Sequence, residues 1–400
     1  MRNDTITSPR GFLAVGLHCG IKKSGKFDLG IIVCPTGARA AAMFTTNKIF
    51  AAPVAVSKKH IHSTKVFGVV VNSGNANACT GKEGIDAAIK MCRTAAGQFN
   101  ADPHQILVTS TGIIGHPLPL KKITSGIVKA SAKLSSSPSA GLDFSKAIMT
   151  TDTKVKSAYR QIEISGRQVK IAGTVKGAGM IAPNMATTLC FITTDIVISK
   201  RLLSVALRTA IGQSLNKLTV DGHQSTNDTV IILTSELAGN SPILSPSREF
   251  EKFSEALCDL CQDLARQMAA DAEGATRIFK VVVEGAASKK FAQRCARAIA
   301  NYDLVKCAIH GADPNWGRII CAAGSSGVKL NPKKLSCKIG DTVVFRNGRP
   351  AKFNPKAVSK IIAAKEHTIT VNLGIGKASD FCYGCDLSKD YVTINADYHT

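Results

Sequence analysis

The strongest constraint on the fold is the segment 247–268, where Phe253, Ala256, Leu257, Leu260, Cys261, Leu264 and Met268 recur at three- and four-residue spacing. That period gathers them on one helical face, which has to be buried against another layer. Ser245 followed by Pro246 is expected to cap and open this helix. The layers it can pack on come from short β-branched runs. VFGVVV at 66–71 leads through the Gly/Asn-rich turn NSGNANACTG into a helical pattern at 82–98, and TVIILTS at 229–235 follows the polar loop DGHQSTND. Strands are expected at 280–284 and 304–309 on either side of a helix near 288–301. Further strands are expected at 368–374 and 391–395, and Asn347-Gly348 signals a two-residue hairpin. Pro/Ser-rich stretches at 134–140 and 239–247 read as surface loops. Strands and helices therefore alternate or segregate in layers.

At 44% apolar and 20% charged over 400 residues, the chain is too hydrophobic for disorder and long enough for two or three packed units. No apolar stretch reaches the roughly 18 residues a membrane helix needs, and the start MRNDTITSPR lacks a signal-peptide core, so no membrane association and a cytoplasmic location are expected. The 13 cysteines fit reduced thiols better than a secreted disulfide framework. The formal charge of +23 raises nucleic acid as a partner. The basic residues, however, come as scattered doublets such as Lys58-Lys59 and Lys289-Lys290 without interleaved aromatics. A basic solvated surface, and no nucleic-acid partner, is the reading.

Two motifs fail on inspection. GIKKSGK at 20–26 has phosphate-loop spacing, but Phe27 stands where a magnesium-binding hydroxyl is needed, so it reads as a basic loop. The pairs Cys258/Cys261 and Cys382/Cys385 lie over a hundred residues apart, and Cys261 belongs to the apolar helical stripe. No metal site is expected from them.

Residues 176–195, KGAGMIAPNMATTLCFITTD, pass from a Gly-rich approach through a Pro183-Asn184 turn into an abrupt β-branched run. An ordinary loop entering a buried strand accounts for this composition. A second reading starts from what a threonine nucleophile needs. A hydroxyl is weak until a base removes its proton, and an N-terminal threonine carries its own base, an α-amine with a pKa near neutrality. To become N-terminal, Thr187 has to attack the carbonyl of Ala186, take that acyl group onto its oxygen and let water release it. The small Ala186 beside a tight turn suits such an attack.

KGAGMIAPNMATTL closely resembles the self-cleavage site of the bacterial ornithine acetyltransferase family, also called the ArgJ family. Nine further blocks resemble it in order: GIKKSGKFDLGIIV at 20–33, FTTNKIFAAPV at 44–54, VNSGNANACTG at 71–81, STGIIG at 110–115, IMTTDTKVK at 148–156, TVDGHQSTNDTV at 219–230, DAEGATR at 271–277, GADPNWGRI at 311–319 and GCDLSKDYVTINADYHT at 384–400. They span nearly the whole chain.

The resemblance implies an α/β (α+β) fold of stacked β-sheets flanked by helices. It implies a larger domain of about 1–275 plus the C-terminal tail and a smaller one of about 280–380. Cleavage between Ala186 and Thr187 would leave a light fragment 1–186 and a heavy fragment 187–400, two of each forming a heterotetramer. Thr187 is then the acetyl-accepting nucleophile, and Thr111 with Gly112 the oxyanion hole. Thr150 or Thr151 (Thr150 preferred on spacing), Lys176, Thr187, Glu273, Asn395 and Thr400 match substrate-binding positions. A lysine suits an α-carboxylate and a glutamate an ammonium, as amino-acid substrates require. The implied reaction is a double displacement without a cofactor. N-acetylornithine acetylates Thr187, ornithine leaves, and glutamate takes the acetyl group; some family members also accept acetyl-CoA as a donor. His223, where an acid is expected, and Ala182 depart from the family pattern. The alternative is an N-terminal-nucleophile aminopeptidase or hydrolase of the same fold, in which water relieves the acyl-enzyme.

Overall fold

The structure, a computed structural model, describes residues 4–182 and 188–397. The Pro183-Asn184 turn, Ala186, Thr187 and Thr400 lie outside the described residues. Eight strands form the first sheet: β1 Leu13–Leu17, β2 Leu29–Phe44, β3 Val66–Asn75, β4 Ile106–Ile113, β5 Lys156–Ile164, β6 Arg167–Lys176, β7 Leu189–Thr194 and β8 Thr229–Thr234. Their order is β4-β3-β2-β8-β7-β6-β5, with β1 pairing to the first half of β2. The β3/β4 and β7/β8 pairs are parallel and the others antiparallel.

The 16-residue β2 makes two layers out of this one path. Its register breaks between Val33 and Ala38; before the break it pairs with β3, and from Arg39 to Phe44 it pairs with β8. Side-chain alternation shows the consequence. Ile32, Val69, Val71 and Leu107 point inward to meet Leu189, Phe191, Ile231 and Leu233 in one core between the two half-sheets. The intervening Ile31, Val70, Ile106 and Val108 pack outward with Met91, Cys92 and Ile127 of the helices Gly81–Phe99 and Leu120–Ser131. On the opposite side Cys190, Ile192, Val230 and Ile232 pack with Leu203, Leu207, Leu260 and Leu264 of the helices Lys200–Gly212 and Arg248–Ala270. This is the expected α/β fold, with stacked sheets flanked by helices. The helix Arg248–Ala270 buries the apolar stripe read from its sequence, but its cap is Ser247, whose Oγ accepts the Phe250 N–H at 3.3 Å, rather than Ser245.

A second sheet contains β9 Ile278–Ala286, β10 Ser336–Ile339, β11 Thr342–Arg346, β12 Arg349–Pro350, β13 Glu366–Asn372 and β14 Ala378–Cys385, in the order β12-β11-β10-β13-β9-β14. Asn347 and Gly348 turn the hairpin between β11 and β12 with φ of 49° and 75°, as the dipeptide predicts. Three expectations fail. Residues 304–309 belong to the helix Asp303–His310, with Val305 and Ile309 one turn apart on its buried side. Residues 391–395 belong to the helix Lys389–Asp397. Half of the expected loop 134–140 is the start of the helix Pro138–Ala147, capped by Ser137. Apolar runs of five or six residues fit either period; burial of Val305 and Ile309 decided the first helix, whereas Lys389–Asp397 buries no side chain and is held by hydrogen bonds from Ser388, Tyr391 and Asn395.

Among the described residues no helix is long and apolar enough to cross a membrane. The GIKKSGK segment is a loop folded around the buried Asp28, which accepts N–H groups of Cys19, Ile21 and Lys22 at 2.6–3.0 Å.

Candidate active site

Where the two half-sheets end side by side, a cavity of about 110 Å³ opens. β4 delivers Thr111 and Gly112 to it, and β6 delivers Lys176. Gly112 sits at φ 132°, and a Cβ there would lie 2.4 Å from the Gly74 carbonyl carbon and 2.5 Å from the Asn75 nitrogen on β3. Only glycine fits so close a strand crossing. Asn227 ties the sheets together at this point: its side-chain amide donates to the carbonyls of Ala76, at 2.7 Å, and Ser110, at 2.8 Å.

Lys176 is buried, and its Nζ donates to Thr111 Oγ1 at 3.2 Å. Burial lowers its pKa; Asp152 opposes that shift, Lys156 adds to it, and Asp228 and Glu273 oppose it more weakly. Asp152 is the hub of the charges beneath the cavity. Its Oδ1 accepts Lys156 Nζ at 2.6 Å and the Gly177 N–H at 2.7 Å, and its Oδ2 accepts the Thr150 N–H at 2.9 Å. Burial alone would push this carboxyl up. Lys176, Lys156 and the hydrogen bonds outweigh it and hold the pKa at about 2. Lys156 also meets Asp271 at 2.5 Å, closing the cluster under the turn that precedes Glu273.

Glu273 follows the helix Arg248–Ala270, and its N–H donates to the Ala178 carbonyl at 2.9 Å. Gly179 has to be small here, since a Cβ would come within 2.1 Å of Glu273 Oε2. The same Oε2 accepts the Asn395 side-chain amide at 3.0 Å. Asn395 arrives on the helix Lys389–Asp397, which is pinned by Ser388 Oγ donating to the Gly274 carbonyl at 2.6 Å and by the Tyr391 hydroxyl donating to Asp221 at 3.2 Å. Asp221 in turn accepts the N–H groups of Met180 and Ile181, at 2.7 and 3.0 Å, fixing the chain that approaches residue 183. Beyond the undescribed stretch, the Thr188 N–H donates to Asp228 Oδ1 at 2.9 Å.

Thr111, Gly112, Thr150, Thr151, Lys176, Glu273 and Asn395 thus line one cavity although up to 284 residues separate them in sequence. Both Thr150 and Thr151 reach it, so position alone does not choose between them. Ala186, Thr187 and Thr400 lie outside the described residues. Asp152, Asn227 and Asp228 went unread: they lie inside IMTTDTKVK and TVDGHQSTNDTV, but only contacts made across the fold mark them. His223 is exposed, with its ring 3.5 Å from Asp221, and Ala182 is buried. Cys261, Cys382 and Cys385 are all buried, with thiol pKa values pushed up by desolvation.

A model of the ArgJ family matches residues 13–400. The chain is 42% identical over 397 residues to the arginine biosynthesis bifunctional protein ArgJ of Symbiobacterium thermophilum, a match that covers 99% of this chain and 98% of the relative. It is 44% identical over 399 residues to the protein of that name from Dehalococcoides mccartyi, covering 99% and 97%. Among solved structures, the crystal structure of the arginine biosynthesis bifunctional protein ArgJ from Bacillus halodurans matches with a TM-score of 0.51 at 42% identity. It covers 52% of this chain and 98% of that one.

Proposed function

Because this chain belongs to the ArgJ family, we propose that it is a glutamate N-acetyltransferase of arginine biosynthesis that cuts itself between Ala186 and Thr187. The freed Thr187 then carries acetyl from N-acetylornithine to glutamate. The observation that carries the reading is the meeting of Lys176, Thr111, Gly112 and Glu273 in one small cavity. A buried cation and a carboxylate on opposite segments suit the carboxylate and ammonium of an amino acid. Thr111 and Gly112 are the groups that would face an oxyanion.

In scission, Thr187 Oγ attacks the Ala186 carbonyl, the C–N bond breaks to leave an ester and a free α-amine, and water hydrolyses the ester. In transfer, the α-amine takes the Oγ proton as Oγ attacks the acetyl carbonyl, and returns it to the departing ornithine amine. Glutamate then attacks the acetyl-threonine through its own α-amine and leaves as N-acetylglutamate. Acetyl-CoA enters at the first half-reaction as a second donor, a reading favoured by the word bifunctional in the names of the full-length relatives. The fragments remain associated as two light and two heavy chains.

The test is intact mass spectrometry of the wild type beside Thr187→Ala, with N-terminal sequencing and an assay of N-acetylornithine with glutamate in the absence of acetyl-CoA. Two fragments, the second beginning Thr187-Thr188-Leu189, with an uncut and inactive variant, are expected. A single uncut and active wild-type chain would remove the mechanism. Release of free acetate without N-acetylglutamate would favour the hydrolase alternative.

A further inference from the structure

The basic loop GIKKSGK forms one wall of a second depression, a groove of about 530 Å³. His18 and Gly20 line it on the loop side, and Lys121, Lys122, Ser125 and Lys129 of the helix Leu120–Ser131 line it on the other. The three lysines are exposed and no acidic residue is in the lining. Lys121, Ser125 and Lys129 recur every four residues, so they stack on successive turns of one helical face, with the two lysines roughly 12 Å apart along the axis. Lys122 Nζ donates to the Gly20 carbonyl at 2.9 Å and ties helix to loop. Gly126 has to be small for the loop to lie this close, since a Cβ there would come within 2.6 Å of Cys19 Cβ. Asp28, buried behind the loop, directs its carboxylate to the N–H groups of Cys19, Ile21 and Lys22 and to His18 Nδ1, the last at 2.9 Å. Its charge is therefore met inside the loop, while the lysines face solvent.

The groove and the cavity share both walls. Along the loop, Ile21 and Lys22 follow Gly20 directly, and a Cβ on Gly74 would lie 3.0 Å from Ile21 Cγ2 and 3.2 Å from Lys22 Cγ. Gly74 is in register with Gly112 of the cavity. Lys22 Nζ donates to the Met149 carbonyl at 2.7 Å, next to Thr150 in the cavity lining. Along the other wall, the chain leaves the cavity at Ile114 and enters the helix at Leu120. The Asn75 side-chain amide holds the turn between them through the His116 and Pro117 carbonyls, at 3.3 and 3.1 Å. From Gly20 to Lys22 the loop spans at most about 7 Å.

We propose that this groove binds the nucleotide phosphates of acetyl-CoA, with Lys121, Lys122 and Lys129 as the phosphate-binding residues. The proposal rests on the reading of acetyl-CoA as a second donor and gives that donor a site. Its diphosphate and its ribose phosphate are separate anions on one ligand, which suits ammonium groups on successive turns. Lysine meets phosphate as a point charge on a flexible stem and needs no fixed fork. The uncharged arm between diphosphate and thioester is roughly 15 Å long when extended, like a peptide with as many backbone bonds. That length carries the acetyl group past the two-residue stretch of loop to Thr111 and Gly112. N-acetylornithine has neither phosphate nor arm, so the groove serves one donor and the cavity serves both.

Lys121→Gln/Lys129→Gln removes two groove charges and touches no residue of the cavity lining. Wild type and variant are assayed with glutamate and each of three donors: acetyl-CoA, S-acetylpantetheine, which lacks the nucleotide and its phosphates, and N-acetylornithine. The value read is kcat/KM for the donor, which in a double displacement reports the first half-reaction alone. Wild type is expected to prefer acetyl-CoA to S-acetylpantetheine by about tenfold or more. The variant should lose about tenfold or more on acetyl-CoA, as for two charge pairs, and stay within about twofold on the other donors. Lys121→Arg/Lys129→Arg, which keeps the charges, should restore acetyl-CoA use. A variant that keeps the wild-type value for acetyl-CoA, or that loses equally on all three donors, overturns the proposal. So does a wild type that uses S-acetylpantetheine as well as acetyl-CoA, a comparison that needs no variant to fold. A wild type active with N-acetylornithine but not with acetyl-CoA sinks the second-donor reading itself, an outcome distinct from acetyl-CoA use that ignores the lysines.

Discussion

Replacing Asp152 by asparagine removes one charge from the cluster beneath the cavity while keeping its shape. The carboxyl is held at about 2 against an ordinary value of 3.8. At about 1.4 kcal/mol per unit, its charged form contributes about 2.5 kcal/mol to folding at neutral pH. The sign follows from the depressed folded pKa. The contribution is complete above the unfolded value near pH 4 and is lost as pH falls through the folded value near pH 2, with about half gone at pH 3. An asparagine amide mimics the protonated carboxyl, so Asp152→Asn is expected to be about 2 to 3 kcal/mol less stable at pH 7 and to melt roughly 3 °C lower. The gap should narrow toward pH 3. Melting followed by circular dichroism from pH 7 to pH 3 reads both effects. A variant that melts within a degree of the wild type at pH 7, or a gap that stays constant with pH, would refute the argument that Lys156, Lys176 and the Thr150 and Gly177 N–H groups stabilise this carboxylate.

Three other outcomes follow from the same geometry. Gly112→Ala puts a Cβ 2.4 Å from the Gly74 backbone and moves the strand end; acetyl transfer, measured as kcat, should fall at least a hundredfold, as for loss of an oxyanion donor. Lys176→Met deletes a buried cation while leaving Asp152 paired with Lys156; transfer should drop at least tenfold in kcat/KM while the melting temperature stays level or rises. His367, buried without a hydrogen-bond partner among the described residues, has its pKa lowered to about 4 by desolvation and by Arg277, with Asp386 opposing. The unfolded chain therefore binds more protons between roughly pH 6.5 and pH 4, stability falls across that window as pH is lowered, and His367→Leu should flatten the fall in a melting-against-pH series.

Long periodic segments were legible without any structure. The stripe from Phe253 to Met268 is buried as its spacing predicts, and Asn347-Gly348 turns a hairpin, because both signals are local and strong. Short apolar runs were not: LVKCAI and YVTIN satisfy two periods at once, and both are helices. The grouping of Thr111, Gly112, Lys176, Glu273 and Asn395 was legible only through ordered blocks shared with a family, since nothing in their local composition separates them from turn and surface residues. Sequence by itself determined which segments are helix or strand where periodicity is long, where glycine is needed for a turn, and which residue types are available for chemistry. Tertiary structure alone decided that β2 bends into two layers, that Asp152 is ionised under Lys176, and that Asp228 is left with an unpartnered oxygen among the described residues. Those properties come from desolvation and charge brought together by strands far apart in the chain, and neither quantity is a function of neighbouring residues.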